Sequence, residues 1–185
     1  MLDLVIALIG PDRPGVVEAV AEPIAAHGGN WLESRMSHLA GEFAGILRIE
    51  APADQVESLV KALLRLEERG LKVIVEESPA QAAPPAPQLM DLDLVGTDRP
   101  GIVREISHLL AAQGVNIEEF STNRSSAPMS GELIFRAQAR LRVPAPARVP
   151  EVRALLEKLA ADLMVEIAVI EEPSGAPHDA GRPRP

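Results

Sequence analysis

Apolar residues recur along this chain with two periods. Near the start, Leu4, Ile6 and Leu8 alternate with Val5, Ala7 and Ile9, and a period of two predicts a strand. Both sets are apolar, so the strand is expected to be central in a sheet and partly covered on both faces. Met90, Leu92 and Leu94 alternate instead with Asp91 and Asp93, which predicts one face on helices and one wetter face. Val16, Val17, Val20 and Ile24 follow helical spacing, and so do Ile102, Val103, Ile106, Leu109 and Leu110. Further strands are read from Phe43, Gly45, Leu47 and Ile49, and from Leu133, Phe135, Ala137, Ala139 and Leu141. Each is expected to form a hairpin with the segment before it. Second helices are predicted by the stripes Val56, Leu59, Val60, Leu63, Leu64 and Val149, Val152, Leu155, Leu156, Leu159. The segments LKVIVEE and MVEIAVIEE close the two series as strands.

The two series are copies. Leu8 to Asn30 matches Leu94 to Asn116 at a constant offset of 86 residues, and such self-similarity marks a duplication. Aligning Glu76 with Glu171 gives an offset of 95 at the final strands. The second copy is therefore expected to be nine residues longer, with the extra length after Asn116 in STNRSSAPMSGE. The order strand, helix, strand, strand, helix, strand predicts an α+β protein of two ferredoxin-like βαββαβ domains. Each is expected to be a four-stranded antiparallel sheet with two helices on one face. The expected boundaries are 1–78 and 88–172, joined by a semi-rigid Pro/Ala linker at 79–87 and followed by a disordered tail at 173–185. Small domains of this kind leave sheet faces and edges to cover. At least a homodimer is expected, with the face bearing Val5, Ala7 and Ile9 as one contact.

Composition narrows the chemistry. Lys plus Arg is 18 against 27 for Asp plus Glu, a formal charge of -9, which disfavours direct nucleic-acid binding. With 2 % aromatic residues and no Tyr, a base-stacking platform is not expected. There is no Cys, and the four His (His27, His38, His108, His178) are scattered, so no metal and no cofactor are expected. The opening MLDLVIALIG is too short for a membrane span and carries Asp3. A cytoplasmic protein without membrane contact is expected.

Candidate chemistry gathers at two turns, Gly10-Pro11-Asp12-Arg13-Pro14-Gly15 and its copy ending Asp98-Arg99-Pro100-Gly101. Asp12 is placed to cap the following helix, and Pro14 suits its first turn. Gly28 and Gly114 suit the helix ends. Backbone N–H groups at the helix start and the helix dipole favour a small anion there. Gly15 and Gly101 let a carboxylate approach, and Arg13 and Arg99 can clamp it. Asn30 and Asn116 can read an amino or carboxylate group. Each of these residues has a plainer use: capping, surface ion pairing, or bonding its own turn. Trp31 and the three Phe residues read as core or interface positions. Ser34, His38 and Glu42 invite a triad, although nothing in the sequence orients them.

GPDRPGVV with GGN downstream, and GTDRPGIV with GVN downstream, resemble the signature of ACT domains, small regulatory modules that commonly bind amino acids. The resemblance covers roughly residues 1 to 172. Asn116, Ser121, Thr122 and the run Ala127-Pro128-Met129-Ser130-Gly131 resemble in particular the second domain of tandem ACT transcriptional regulators. It implies ligand sites where two domains meet, at Asp12, Arg13, Pro14, Gly15 and Asn30 and at Asp98, Arg99, Pro100, Gly101 and Asn116, with the second copy favoured. It also implies a non-catalytic protein responsive to an amino acid, glycine being one candidate. Such a protein would act through a DNA-binding regulatory partner of glycine or amino-acid metabolism. Ser121, Thr122, Met129 and Ser130 would then lie in a lid or partner-docking loop. Two alternatives stay open: an ACT pair that binds no ligand, and an enzyme or an enzyme's regulatory subunit.

Overall fold

The computed structural model describes residues 1–78, 88–128, 131–144 and 149–171. The expected linker at 79–87 and the expected tail at 173–185 fall outside these residues. The chain divides into two units, Met1–Ala83 and Pro84–Pro185. In the first, β1 (Leu2–Pro11), α1 (Val16–Ala26), β2 (Asn30–Leu39), β3 (Glu42–Ala51), α2 (Val56–Leu64), a 3-10 turn (Arg65–Arg69) and β4 (Lys72–Glu77) follow in order. The second contains β5 (Gln88–Thr97), α3 (Ile102–Ala112), β6 (Asn116–Ser126), β7 (Leu133–Val143), α4 (Val149–Leu163) and β8 (Val165–Glu171). Both sheets have four antiparallel strands, in the orders β2-β3-β1-β4 and β6-β7-β5-β8. The α+β ferredoxin-like arrangement read from the repeat is thus the fold of each unit.

Strand alternation decides which face meets the helices. Leu4, Ile6 and Leu8 are buried with Val20, Ile24, Leu59 and Leu63 in one core. Met90, Leu92 and Leu94 are buried with Ile106, Leu110, Val152 and Leu156 in the other. The margins of the expected helical stripes are exposed at Val17, Leu64, Val103 and Leu155, because each helix rests on the sheet along a narrower line than the stripe. Among the described residues no polar or charged side chain is fully buried. Trp31, Phe43 and Phe135 pack against the cores as expected, whereas Phe120 is exposed on the edge strand β6.

The open sheet faces differ. In the first unit Ile46 pairs with Ala7, which pairs in turn with Ile74, and both isoleucines are exposed. In the second unit the same central row reads Gln138, Asp93 and Ala168, and Gln138 Nε2 donates to Asp93 Oδ1 at 2.6 Å.

Register corrects the length comparison. Leu8 pairs with Val73, and its counterpart Leu94 pairs with Ile167, an offset of 94 rather than 95. The second unit is therefore eight residues longer, not nine. Leu8 also pairs with Gly45, and Leu94 with Ala137, an offset of 92, so six of the eight lie in the β6–β7 hairpin. Aligning the final strands on their acidic pairs shifts them by one residue, and a one-residue slip reverses the two faces.

Helix ends follow local chemistry. Gly28 and Gly114 have φ of 68° and 67°. The N–H groups of Gly29 and Val115 donate to the carbonyls of Ile24 and Leu110, the closure expected of a left-handed glycine after a helix. Pro23 lies inside α1 without ending it.

Candidate functional site

The turns that open α1 and α3 begin differently from the sequence expectation. The N-cap positions are Gly15 (φ 89°) and Gly101 (φ 101°), with no side-chain cap. Pro14 and Pro100 stand before the helices, not in their first turns. A capping side chain must flank the first helical residue directly, and Asp12 lies three positions before Gly15. Its N–H donates to the Gly41 carbonyl at 2.9 Å. Asp98 makes the equivalent bond to Leu133 at 2.8 Å, and its carboxylate lies 3.4 Å from Arg124 Nη1.

A crevice of about 360 Å³ opens beside the first turn, lined by Arg13, Gly15, Glu18, Glu22, Arg69 and Leu71 among others. Backbone geometry builds it. A Cβ on Gly10 would fall 2.5 Å from the Gly70 carbonyl oxygen, so only glycine lets the end of β1 approach the start of β4 this closely. That approach brings Arg69 next to the turn, where Arg13 Nη2 donates to the Arg69 carbonyl at 2.5 Å. Glu18 and Glu22 stand one turn apart on α1 and supply the opposite charge. A Cβ on Gly15 would lie 3.7 Å from Glu18 Oε2, which puts that carboxylate over the first helical turn, where the dipole favours it. The crevice therefore gathers two arginines, two glutamates and the start of α1, a mixed-charge lining that suits a small molecule carrying both a carboxylate and an ammonium.

Of the expected residues, the crevice gathers Arg13, Pro14 and Gly15. Asn30 is elsewhere. It pairs with Glu50, which also pairs with Asp3, and its Nδ2 donates to Glu50 Oε1 at 3.1 Å. Eight residues of β1 separate that level from Pro11, roughly 27 Å at strand rise. Asn116 is level with Leu89 through their shared partner Arg142, equally far from Thr97 and the second turn. Within a unit, the asparagines and the turns thus occupy opposite ends of the sheet. Ser121 and Thr122 lie in strand β6, opposite Gln138 and Ala137, not in a loop. Met129 and Ser130 lie outside the described residues.

Arg69, Glu18 and Glu22 were not singled out from sequence. Glu18 and Glu22 share an exposed helix face that reads as merely solvated. Arg69 reaches the turn only through the Gly10 approach. In the second copy the 94-residue offset of β8 aligns Leu163 with Arg69, while Arg104 and His108 replace Glu18 and Glu22. Arg104 Nη1 lies 3.6 Å from Glu105 Oε1. The charge pattern of the crevice is thus specific to the first unit, although the sequence favoured the second.

Ser34 and His38 are four residues apart on β2, about 13 Å, so they do not meet as a triad. Among the described residues no group of three or more His, Asp or Glu could hold a metal ion, and no helix is long and apolar enough to cross a membrane.

Residues 3–76 match the family model described as ACT domain. The first unit is an ACT domain. The second unit repeats the strand order of that ACT unit. The chain is 25 % identical over 162 residues to the glycine cleavage system transcriptional repressor of Escherichia coli (strain K12), covering 86 % of this chain and 85 % of the relative. The crystal structure of an unknown protein from Galdieria sulphuraria superposes with a TM-score of 0.82 at 28 % identity, over 92 % of this chain and 98 % of the other. A candidate glycine cleavage system transcriptional repressor of known structure shares the fold, with a TM-score of 0.70 at 17 % identity over 92 % and 97 % of the two chains.

Proposed function

We propose that this chain is a non-catalytic regulatory protein that binds a free amino acid and acts on a transcriptional regulator through protein contacts. The observation that carries the reading is the crevice of the ACT unit, whose lining brings together Arg13, Arg69, Glu18 and Glu22. Opposed charges of this kind suit a zwitterion. The α-carboxylate would meet the guanidinium groups and the N–H groups that follow Gly15, and the α-ammonium would meet Glu18 or Glu22. Similarity to the Escherichia coli repressor supports a regulatory role and makes glycine the first ligand to try. Ligand bound there would tie the 3-10 turn to α1. It would shift a regulatory equilibrium only by as much as it favours one state over another. The output partner proposed is a DNA-binding protein, with the longer β6–β7 hairpin as a docking element.

One observation favours an ACT pair that works without ligand. Arg13 is already satisfied by the Arg69 carbonyl, and Glu18 already covers the helix start. Isothermal titration of the full chain with each of the twenty amino acids separates the two readings. Saturable binding tighter than about 1 mM, roughly -4 kcal/mol, is expected for at least one. Arg13→Ala and Glu18→Gln should each weaken that binding about tenfold or more, near 1.4 kcal/mol, without changing the melting curve. Absence of binding across the whole panel would leave the ligand-free pair as the working account.

A further inference from the structure

The open face of the first sheet is apolar at its centre. Val5, Ala7 and Ile9 on β1 lie beside Ala44 and Ile46 on β3 and Ile74 on β4. Ile9, Ile46 and Ile74 are 46, 51 and 62 % exposed. A cluster of exposed isoleucines on one sheet face is a site of association, unlike single apolar residues scattered over a surface.

Charge at the rim selects the occupant. On β4, Ile74 is flanked by Lys72 two residues before it and Glu76 two residues after it. All three side chains point to the open face. Lys72 is level with Ile9, Ile74 with Ala7 and Glu76 with Val5. Consider a two-fold axis in the plane between two such faces, perpendicular to the strands and passing over the Ile46–Ala7–Ile74 row. It sets Ile74 against Ile74, Ile46 against Ile46 and Val5 against Ile9. The same operation sets Lys72 of each copy against Glu76 of the other, twice. The patch is complementary to itself, as an isologous interface requires.

We infer that this face is the surface through which two copies of the chain associate, β4 facing β4 in opposite directions, with paired isoleucines at the centre and reciprocal Lys72–Glu76 contacts at the rim. The apolar row supplies affinity, and the rim charges set orientation and exclude the parallel arrangement, in which Lys72 and Glu76 would lose these partners. Near Val5, Arg48 is held between Asp3 at 2.8 Å and Glu33 at 3.5 Å. It contributes to the border of the patch and not to the reciprocal pair.

Sedimentation of the full chain at tens of micromolar is expected to show a dimer. Ile74→Glu should weaken dimerisation more than tenfold, and Ile46→Glu should do the same, with far-UV circular dichroism and melting retained because both side chains are exposed. The charge exchange guards against a variant that simply misfolds. Lys72→Glu and Glu76→Lys should each weaken the dimer several-fold. The double variant Lys72→Glu/Glu76→Lys should return it close to the parent, because the reciprocal pairs re-form with their signs exchanged. A monomeric parent chain, which would include a face covered within the chain itself, overturns the inference. So does a dimer indifferent to both isoleucine changes, or a double charge variant as weak as the singles.

Discussion

Glycines between the first strand and the first helix of a unit do two different jobs, one where the strand ends and one where the helix begins, and substitution separates them. Gly101 has a φ of 101° and open space where a Cβ would stand. Gly101→Ala therefore meets backbone strain alone, expected to cost about 1–2 kcal/mol. Gly10 has ordinary dihedrals, but its Cβ would meet the backbone carbonyl of Gly70 at 2.5 Å and Leu71 Cδ2 at 2.8 Å. Backbone cannot swing aside like a side chain. Gly10→Ala is expected at or above the upper end of the roughly 1–3 kcal/mol typical of overpacking, and to displace Arg69 from Arg13. Urea unfolding of the two variants checks the order, and a Gly101→Ala loss equal to or larger than that of Gly10→Ala would contradict it. This contrast also shows what the sequence conceals. The motif Asp-Arg-Pro-Gly was legible as a turn before a helix, and Arg13 and Gly15 as its chemistry. Which residue takes the N-cap depends on a positive φ, and the place of Arg69 depends on a contact 56 residues distant in the sequence.

Elements were legible wherever one face is buried. The period of two in β1, β3, β5 and β7 and the stripes of the four helices follow from burial on a single side, and burial leaves a pattern. Edge strands carry less of it. β6 is exposed along nearly its whole length, so nothing in NIEEFSTNRSS distinguishes strand from loop, and Ser121 and Thr122 read as loop residues. Their place is fixed by hydrogen bonding to β7. Pro23 sets a prediction at this scale. It sits in an 11-residue helix whose counterpart α3, also 11 residues, has no proline. A proline there leaves the Ala19 carbonyl without its helical N–H donor. Pro23→Ala is expected to stabilise the first unit by about 1–2 kcal/mol, less the restriction proline places on the unfolded chain. Thermal unfolding checks it, and a lower melting temperature would show that the ring packs against something the helix needs.

Across the whole molecule, duplication has preserved backbone more faithfully than charge. Strand order, registers and the two left-handed glycines recur, while Arg69, Glu18 and Glu22 have no like-charged counterparts in the second unit. If the proposed ligand site is correct, titration should give one ligand per chain, not two. A stoichiometry near two would mean that the second turn binds without that charge set. The strand orders carry one more consequence, for synthesis. β1 leaves the ribosome before both its neighbours, β3 and β4, with β4 ending at Glu77. Sixty-six residues separate Pro11 from Glu77, roughly 3–13 s at about 5–20 residues per second. For that interval the nascent segment LDLVIALIGP has no complete sheet to join, and a short apolar strand in that state invites pairing with other chains. The same wait recurs for β5, whose partner β8 ends at Glu171. Shielding of these two strands during translation, by the ribosome surface or a chaperone, is where the yield of folded protein would be decided.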